Sequence, residues 1–568
     1  MECAGRRSPR FLIMENEKKN YKKGKSCDSR TNSKGPQNSD KKFKKYDKTD
    51  KGLRFAKEND VSWYSKIGEQ LLKDTASIPM TYPLGNILDL GEYGGAAWGS
   101  TINTTSFPGV AAIDWMPSFG YSDNPNSPIN VAARQVYSWV RHANSGHANY
   151  DSPDLMIYLM AVDQVNMWLE YMKRLYGVAM TYNNQNRYYP NTILYANFMN
   201  YEDVYGRLAE LRAKINVYAA KAQALCIPNT ITIYDRHKWM SSGLFLDTMD
   251  TIKAQTYFYV PALYYTFGLD GDKAGMLVPH GWGYLPTTGE VVNTTGHTLD
   301  DVYAVMDSIL DPLLASEDFG IMGGDILKAY GEGNMFKFMG IDESYSVFPS
   351  YHQDVIDQIH NCTLISSIKY PTLEQDTNKQ YLVSKPMGRI HSLHIEAGRN
   401  YGFMNRIVDF HRDGVGPKDV MVATRLMNIL DPTISEGVGG SALYGITTAG
   451  TEIAHSMRVF RLAKESDGYV GPQFRVINAV NQFNANLPDN TDDGKKKLSS
   501  TLNNVVQEMA ALSVFDNHPQ VTFNIAIEGV VSNIGNNIVA DFGNYGFLDI
   551  QTLKNITEIA LLSEFNAI

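Results

Sequence analysis

Cysteine is nearly missing from this sequence: 568 residues contain four, Cys3, Cys27, Cys226 and Cys362. With no CxxC pair and no histidine-rich partner nearby, they build neither a disulfide framework nor a zinc ribbon. Long apolar runs are missing too. The nearest approach to a membrane span, Met156 to Met172, carries Asp163, Gln164, Asn166 and Glu170, too polar to cross a bilayer as a helix. Arg6, Arg7 and Arg10 precede only the short apolar run Phe11 to Met14, far less than a signal-peptide core. The chain is therefore expected to be soluble and inside the cell when it folds. No phosphate loop, HExxH or GxSxG pattern occurs, and the glycines of GGSALYG around Ser441 make a poor nucleophile elbow. No cofactor, no metal and no enzyme activity are expected. The one weak invitation is HSLHIE, with His391, His394, Glu396 and, further on, His411. In a strand His391 and Glu396 would face opposite ways, because their separation is odd. No internal repeat is present, so solenoids and propellers are not expected.

What the sequence does have is a strong partition of charge. The net charge of −9 averages two unlike parts. Residues 1–57 hold 18 Lys and Arg against 7 Asp and Glu, a local net of +11, which leaves the remainder at −20. Stretches such as KKNYKKGKS and DKKFKKYDKTDKG have no helical or strand period and almost no aliphatic residues, so burial cannot repay their conformational entropy. A disordered basic arm on an acidic body is expected. Lys18, Lys19, Lys22, Lys23, Lys25, Lys41, Lys42, Lys44 and Lys45 are the candidate phosphate contacts, releasing counterions as they bind. Tyr21, Phe43, Tyr46 and Phe55 stand among them, where they could stack on bases or dock the arm on the body. A solubilising tail would share this composition.

Periodicity predicts helices in the body. Asn130 is a candidate cap for VAARQVYSWVRHA. Ser152 and Pro153 open DLMIYLMAVDQVNMWLEYMKRLYG, which is apolar on more than one face and must be buried against several neighbours. In YEDVYGRLAELRAKINVYAAKAQALC, residues Val204, Leu208, Leu211, Ile215, Tyr218, Ala222 and Leu225 recur at spacings of four and three, one apolar stripe along a helix of about seven turns. Arg207, Lys214 and Lys221 form a basic row on another face. Leu498, Leu502, Val505, Met509 and Leu512 mark a further helix near the end. Between residues 276 and 470 glycine-rich segments and alternating runs such as QYLVSK suggest a second domain of strands and long loops.

One run is more specific than any period. PINVAARQVYSWVRHANSGHANYDSPDLMIYLMAVDQVNMWLEYMKRLYG, residues 128–177, with VRHANSGHANYDSPDLM at its centre, closely resembles the matching part of picobirnavirus capsid proteins. PGVAAIDWMPSFGYS, Pro108 to Ser122, is similar too, and the length and basic arm agree. The resemblance implies a predominantly α-helical shell domain with an α+β, loop-rich projecting domain. Residues 58–275 and 471–568 would form the shell, residues 276–470 the projection, and residues 1–57 an internal arm. It also implies two-fold dimers closing into an icosahedral shell around double-stranded RNA, with the arm released by cleavage. A packaged polymerase, transient contact with a host membrane, and a passage from host cytoplasm to virion follow from the same likeness.

Within that run Arg141, His142, Asn144, His147, Asn149, Asp151 and Asp154 crowd a turn between two apolar helices. They are expected to lock the loop, with His147 paired to Asp151 or Asp154; a part in self-cleavage is the sharper alternative, and no nucleophile can be named for it. The rival from another class is an intracellular nucleoprotein that coats single-stranded RNA, which would need a basic groove in the body.

Overall fold

Burial is greatest along one helix, Ser152–Ala179, in which every residue from Leu155 to Ala179 is inside the protein. The structure is a computed structural model. It describes residues 66, 68–76, 87–89, 104–106 and 109–566, except 146–148, 182–187, 250–254, 270, 286–289, 292–295, 377, 379, 391–406, 438–441, 465–469, 487–491 and 529–533. Two compact units emerge, Met1–Pro79 and Met80–Ile568. In the first, the described residues form one short helix, Glu69–Ala76, with a Lys73–Glu69 ion pair at 2.9 Å on its surface. The basic arm lies outside the described residues.

In the second unit the helices used below are α1 (Pro128–Ala143), α2 (Ser152–Ala179), α3 (Tyr201–Gly206), α4 (Leu208–Ala222), α5 (Ile233–Ser242), α6 (Leu299–Ala315), α7 (Glu317–Tyr330), α8 (Gln353–His360), α9 (Asp492–Leu512) and α10 (Ile550–Glu564). The strands are β1 (Val110–Pro117), β2 (Phe245–Leu246), β3 (Thr256–Pro261), β4 (Ser350–Tyr351), β5 (Ile407–Phe410), β6 (Glu452–Lys464), β7 (Val470–Ile477) and β8 (Asn544–Phe547). A six-stranded sheet runs β4-β2-β3-β1-β6-β7. Its centre pairs β1 parallel with β3 and antiparallel with β6. Both faces of β1 are buried, so VAAIDWMP carries no alternation to announce it.

At the coarser level the expectation holds, since the fold is a mixture of α-helix and β-sheet, but periodicity did not foresee the six-stranded sheet. The reason is local. The central strands are short apolar runs, which periodicity cannot tell from pieces of buried helix, and they come from positions 110, 256 and 452, far apart in the chain. The stretch 276–470 supplies the helices α6 and α7 as well as strands, and its β6 is a central strand of the sheet. Among the described residues no helix is long and apolar enough to cross a membrane.

The helical expectations fare better. The stripe from Val204 to Leu225 is buried, with Leu208 partly so, but the helix breaks at Arg207 into α3 and α4. Arg207 is drawn into ion pairs with Glu210 at 2.6 Å and Asp300 at 2.7 Å, and lies over the Tyr303 ring. Lys214 and Lys221, of the same basic row, lie over Tyr218. Asn130 is no cap. Helix α1 starts after Ser127, and Asn130 is buried inside it, donating to Leu382 O at 3.0 Å and accepting from Leu382 N at 2.8 Å.

Candidate functional site

The nine arm lysines, Lys18 to Lys45, lie outside the described residues, as do His147 and the His391, His394 and Glu396 group. The remaining members of the polar turn separate. Arg141 and His142 are exposed at the end of α1, the former over the Tyr137 ring at 5.9 Å. Asn144 is buried and donates to Val140 O at 2.8 Å and to Asp325 O of α7 at 3.1 Å. Tyr150 reinforces that joint by donating to the Asp325 carboxylate at 2.9 Å. Asn149 is exposed. Asp151 is the N-cap residue of α2, and the Asp154 carboxylate accepts from the Asp151 N–H at 3.0 Å, closing the first turn. Partial burial, with Asp151 and Asp318 close by, holds the Asp154 carboxyl above its ordinary value against the lowering effect of that hydrogen bond. Asn144 and Tyr150 thus each connect to Asp325 of α7.

Three polar groupings, two of them largely buried, were not legible in the sequence. In the first, the Asp114 carboxylate of β1 takes two hydrogen bonds from Arg458 of β6, at 2.6 and 2.7 Å, and one from Ser456 at 3.0 Å. The guanidinium also lies 4.0 Å from the Phe198 ring centre. The second joins four elements. His237 of α5 meets Asp163 of α2 at 2.5 Å and Glu452 of β6 at 3.4 Å, and Arg236 grips Glu452 at 2.6 and 2.9 Å. Thr451 donates to Glu452 and to Glu564 of α10, which Arg425 meets at 3.1 Å. Three cations face three carboxylates. Burial by itself would lower the His237 pKa, but the Asp163 and Glu452 carboxylates raise it to about 10. Such matched buried charges are compatible with stability because each has an opposite partner and hydrogen bonds.

The third grouping has the donor types of a metal site. His360 at the end of α8, Asp409 in β5 and His411 just after it offer ligand atoms that all lie within 4.8 Å of one another. Burial lowers the His360 pKa below its ordinary value, opposed by its hydrogen bond to Asp409 and reinforced by His411 and His518.

The first two groupings join segments that are distant in the sequence. A family model described as picobirnavirus capsid protein matches residues 63–531, most of the chain. The chain belongs to the picobirnavirus capsid protein family. A relative from human picobirnavirus (strain Human/Thailand/Hy005102/-), named capsid protein precursor, is 28% identical over 537 residues, spanning 91% of this chain and 92% of its own length. The X-ray structure of the picobirnavirus capsid shares the fold, with a TM-score of 0.72 at 23% identity over 90% of this chain and 99% of that one. As a picobirnavirus capsid protein, the chain is a structural component of a double-stranded RNA virus shell, and the virion is its location. The buried ion pairs of the first two groupings fit that role, since they join segments from 74 to 344 residues apart within the second unit.

Proposed function

We propose that this capsid protein pairs with a second copy into two-fold dimers, which close into an icosahedral shell around double-stranded RNA. Residues 1–57 contact genome phosphates from inside and are released by cleavage during assembly. The observation that carries this reading is the charge partition, +11 on the arm against −20 on the rest. An acidic body repels RNA, while an extended cationic segment can follow an irregular polyanion. The contact is with phosphate charge, because the A-form major groove is too narrow for side chains to read bases. Exposed large apolar side chains, among them Trp139, Met339, Phe348 and the Tyr545–Phe547 ring pair on β8, give neighbouring copies surface to bury. Space for a packaged polymerase and contact with a host membrane at entry belong to the same reading.

The test is negative-stain microscopy and amino-terminal sequencing of the full-length protein expressed alone. Closed particles whose chains begin near the end of the basic segment are expected. Closed particles that retain Met1 would keep the shell and remove the cleavage. A dispersed monomer at every salt concentration and pH would overturn assembly and favour the single-strand nucleoprotein.

A further inference from the structure

His360, Asp409 and His411 come from two stretches of chain, and a third completes their surroundings. Asn361 clamps α8 to β5: its Nδ2 donates to Asp409 O, and Asp409 N donates to its Oδ1, both at 2.8 Å. Strand β8 pairs antiparallel with β5, and the turn leading into it aims the Gly543 N–H at both oxygens of the Asp409 carboxylate, at 3.0 and 3.2 Å. A Cβ at residue 543 would come within 2.8 Å of Phe410 O, so this approach needs glycine. The carboxylate, fully buried, therefore has a fixed direction. His360 Nε2 lies 2.8 Å from Asp409 Oδ2, His411 Nε2 lies 3.7 Å from the same oxygen, and the two rings are 4.4 Å apart. His411 Nε2 is also 3.1 Å from Asp541 O.

We infer that His360, Asp409 and His411 form a binding site for a divalent transition-metal ion of the zinc class, with two imidazole nitrogens and one carboxylate oxygen as protein ligands. Zinc bonds of about 2.0–2.2 Å in tetrahedral array place ligand atoms roughly 3.4 Å apart. The two separations from Asp409 Oδ2 bracket that value, so small side-chain movements suffice. A nitrogen-rich donor set favours zinc and its first-row neighbours over calcium or magnesium. Water and the Asp541 carbonyl are available for the remaining positions. Arg412, next in sequence to His411, is already paired with Asp357 at 2.8 Å and Asp419 at 3.0 Å, so its repulsion is offset. His360 Nδ1 is buried and makes no hydrogen bond, so a proton moved there as Nε2 takes the ion lacks an acceptor, a cost that ion binding must exceed. Access is from one side, because the His411 side chain is 28% exposed while Asp409 is covered.

The ion has a mechanical use at this place. Strand β5 is covered by a small apolar cluster, Val408, Phe410 and Ala423 with Val415, Val420 and Leu548, which is separate from the main core. So little buried surface gives low local stability. A metal joining α8 to the β5 end would staple this region, because binding free energy becomes folding free energy.

The measurement is zinc titration of the full-length protein, stripped with chelator and dialysed, by calorimetry and thermal melting, with cobalt(II) as a spectroscopic probe. Wild type is expected to bind zinc stoichiometrically, to melt at a higher temperature with it, and to give the visible cobalt bands of nitrogen and oxygen ligation. His411→Ala, at a partly exposed position, should melt like wild type without metal and lose affinity at least about tenfold, the loss that even an outer-shell change can produce. Substoichiometric zinc with no melting shift, or equally tight binding by His411→Ala, overturns the proposal. Should that variant fail to fold, the wild-type cobalt spectrum decides, and the absence of nitrogen-ligand bands overturns it.

Discussion

At the scale of single residues, His455 is a buried polar group without a hydrogen-bonding partner, and it predicts pH behaviour. It occupies a bulge in β6, where the pairing to β1 shifts between Ala454 and Ser456, and neither of its ring nitrogens has a hydrogen bond. Burial lowers its pKa from 6.5 to about 3. The folded chain thus keeps it neutral while the unfolded chain binds a proton, so its contribution to stability is full above pH 6.5 and falls as pH drops towards 3. Thermal melts across this window should show a shallower acid loss for His455→Leu than for wild type. Parallel curves would sink the claim. HSLHIE drew attention by its letters, whereas the convergent set His360, Asp409 and His411 carries no local signature, because residues 360 and 409 meet only in three dimensions.

At the scale of elements, α2 illustrates what periodicity can state and where it stops. An apolar surface on all sides announces a buried helix, and α2 is buried along nearly its whole length. Its last turn is less obvious. Gly177 reads as a terminator, yet the helix continues to Ala179, and the glycine serves a close approach: a Cβ there would meet Val347 Cγ2 at 2.5 Å and Tyr345 Cε1 at 3.0 Å. Gly177→Ala should therefore destabilise the protein by about 1–3 kcal/mol through overpacking, despite alanine's better helix propensity. Denaturant unfolding of the variant checks it, and a gain in stability would show that residues 345–347 move aside easily. The helix that the stripe promised is interrupted at Arg207, whose guanidinium pairs with Asp300 of α6.

At the scale of the whole molecule, the separation of charge leads to a test independent of particle formation. Deleting residues 1–57 should lower affinity for double-stranded RNA and flatten its dependence on salt, because each phosphate that the arm no longer neutralises takes roughly 0.7–0.9 off the logarithmic slope. Filter binding over a range of salt concentrations measures both quantities. An unchanged slope would move the RNA-binding surface to the body, whose residues carry a net −20.

Charge, helix stripes and the family-specific run of residues 128–177 are local properties of the chain, so the sequence by itself determined the acidic body, the main helices and the kinship to picobirnavirus capsid proteins. The sheet was decided only by tertiary structure. Its neighbours β1, β3 and β6 begin at residues 110, 256 and 452, and fully buried strands lose the alternation that would reveal them. The same holds for Asp114 with Arg458, and for Asp163 with His237 and Glu452. A charge placed in an apolar run looks like an interruption until the fold brings its counter-charge within hydrogen-bonding distance.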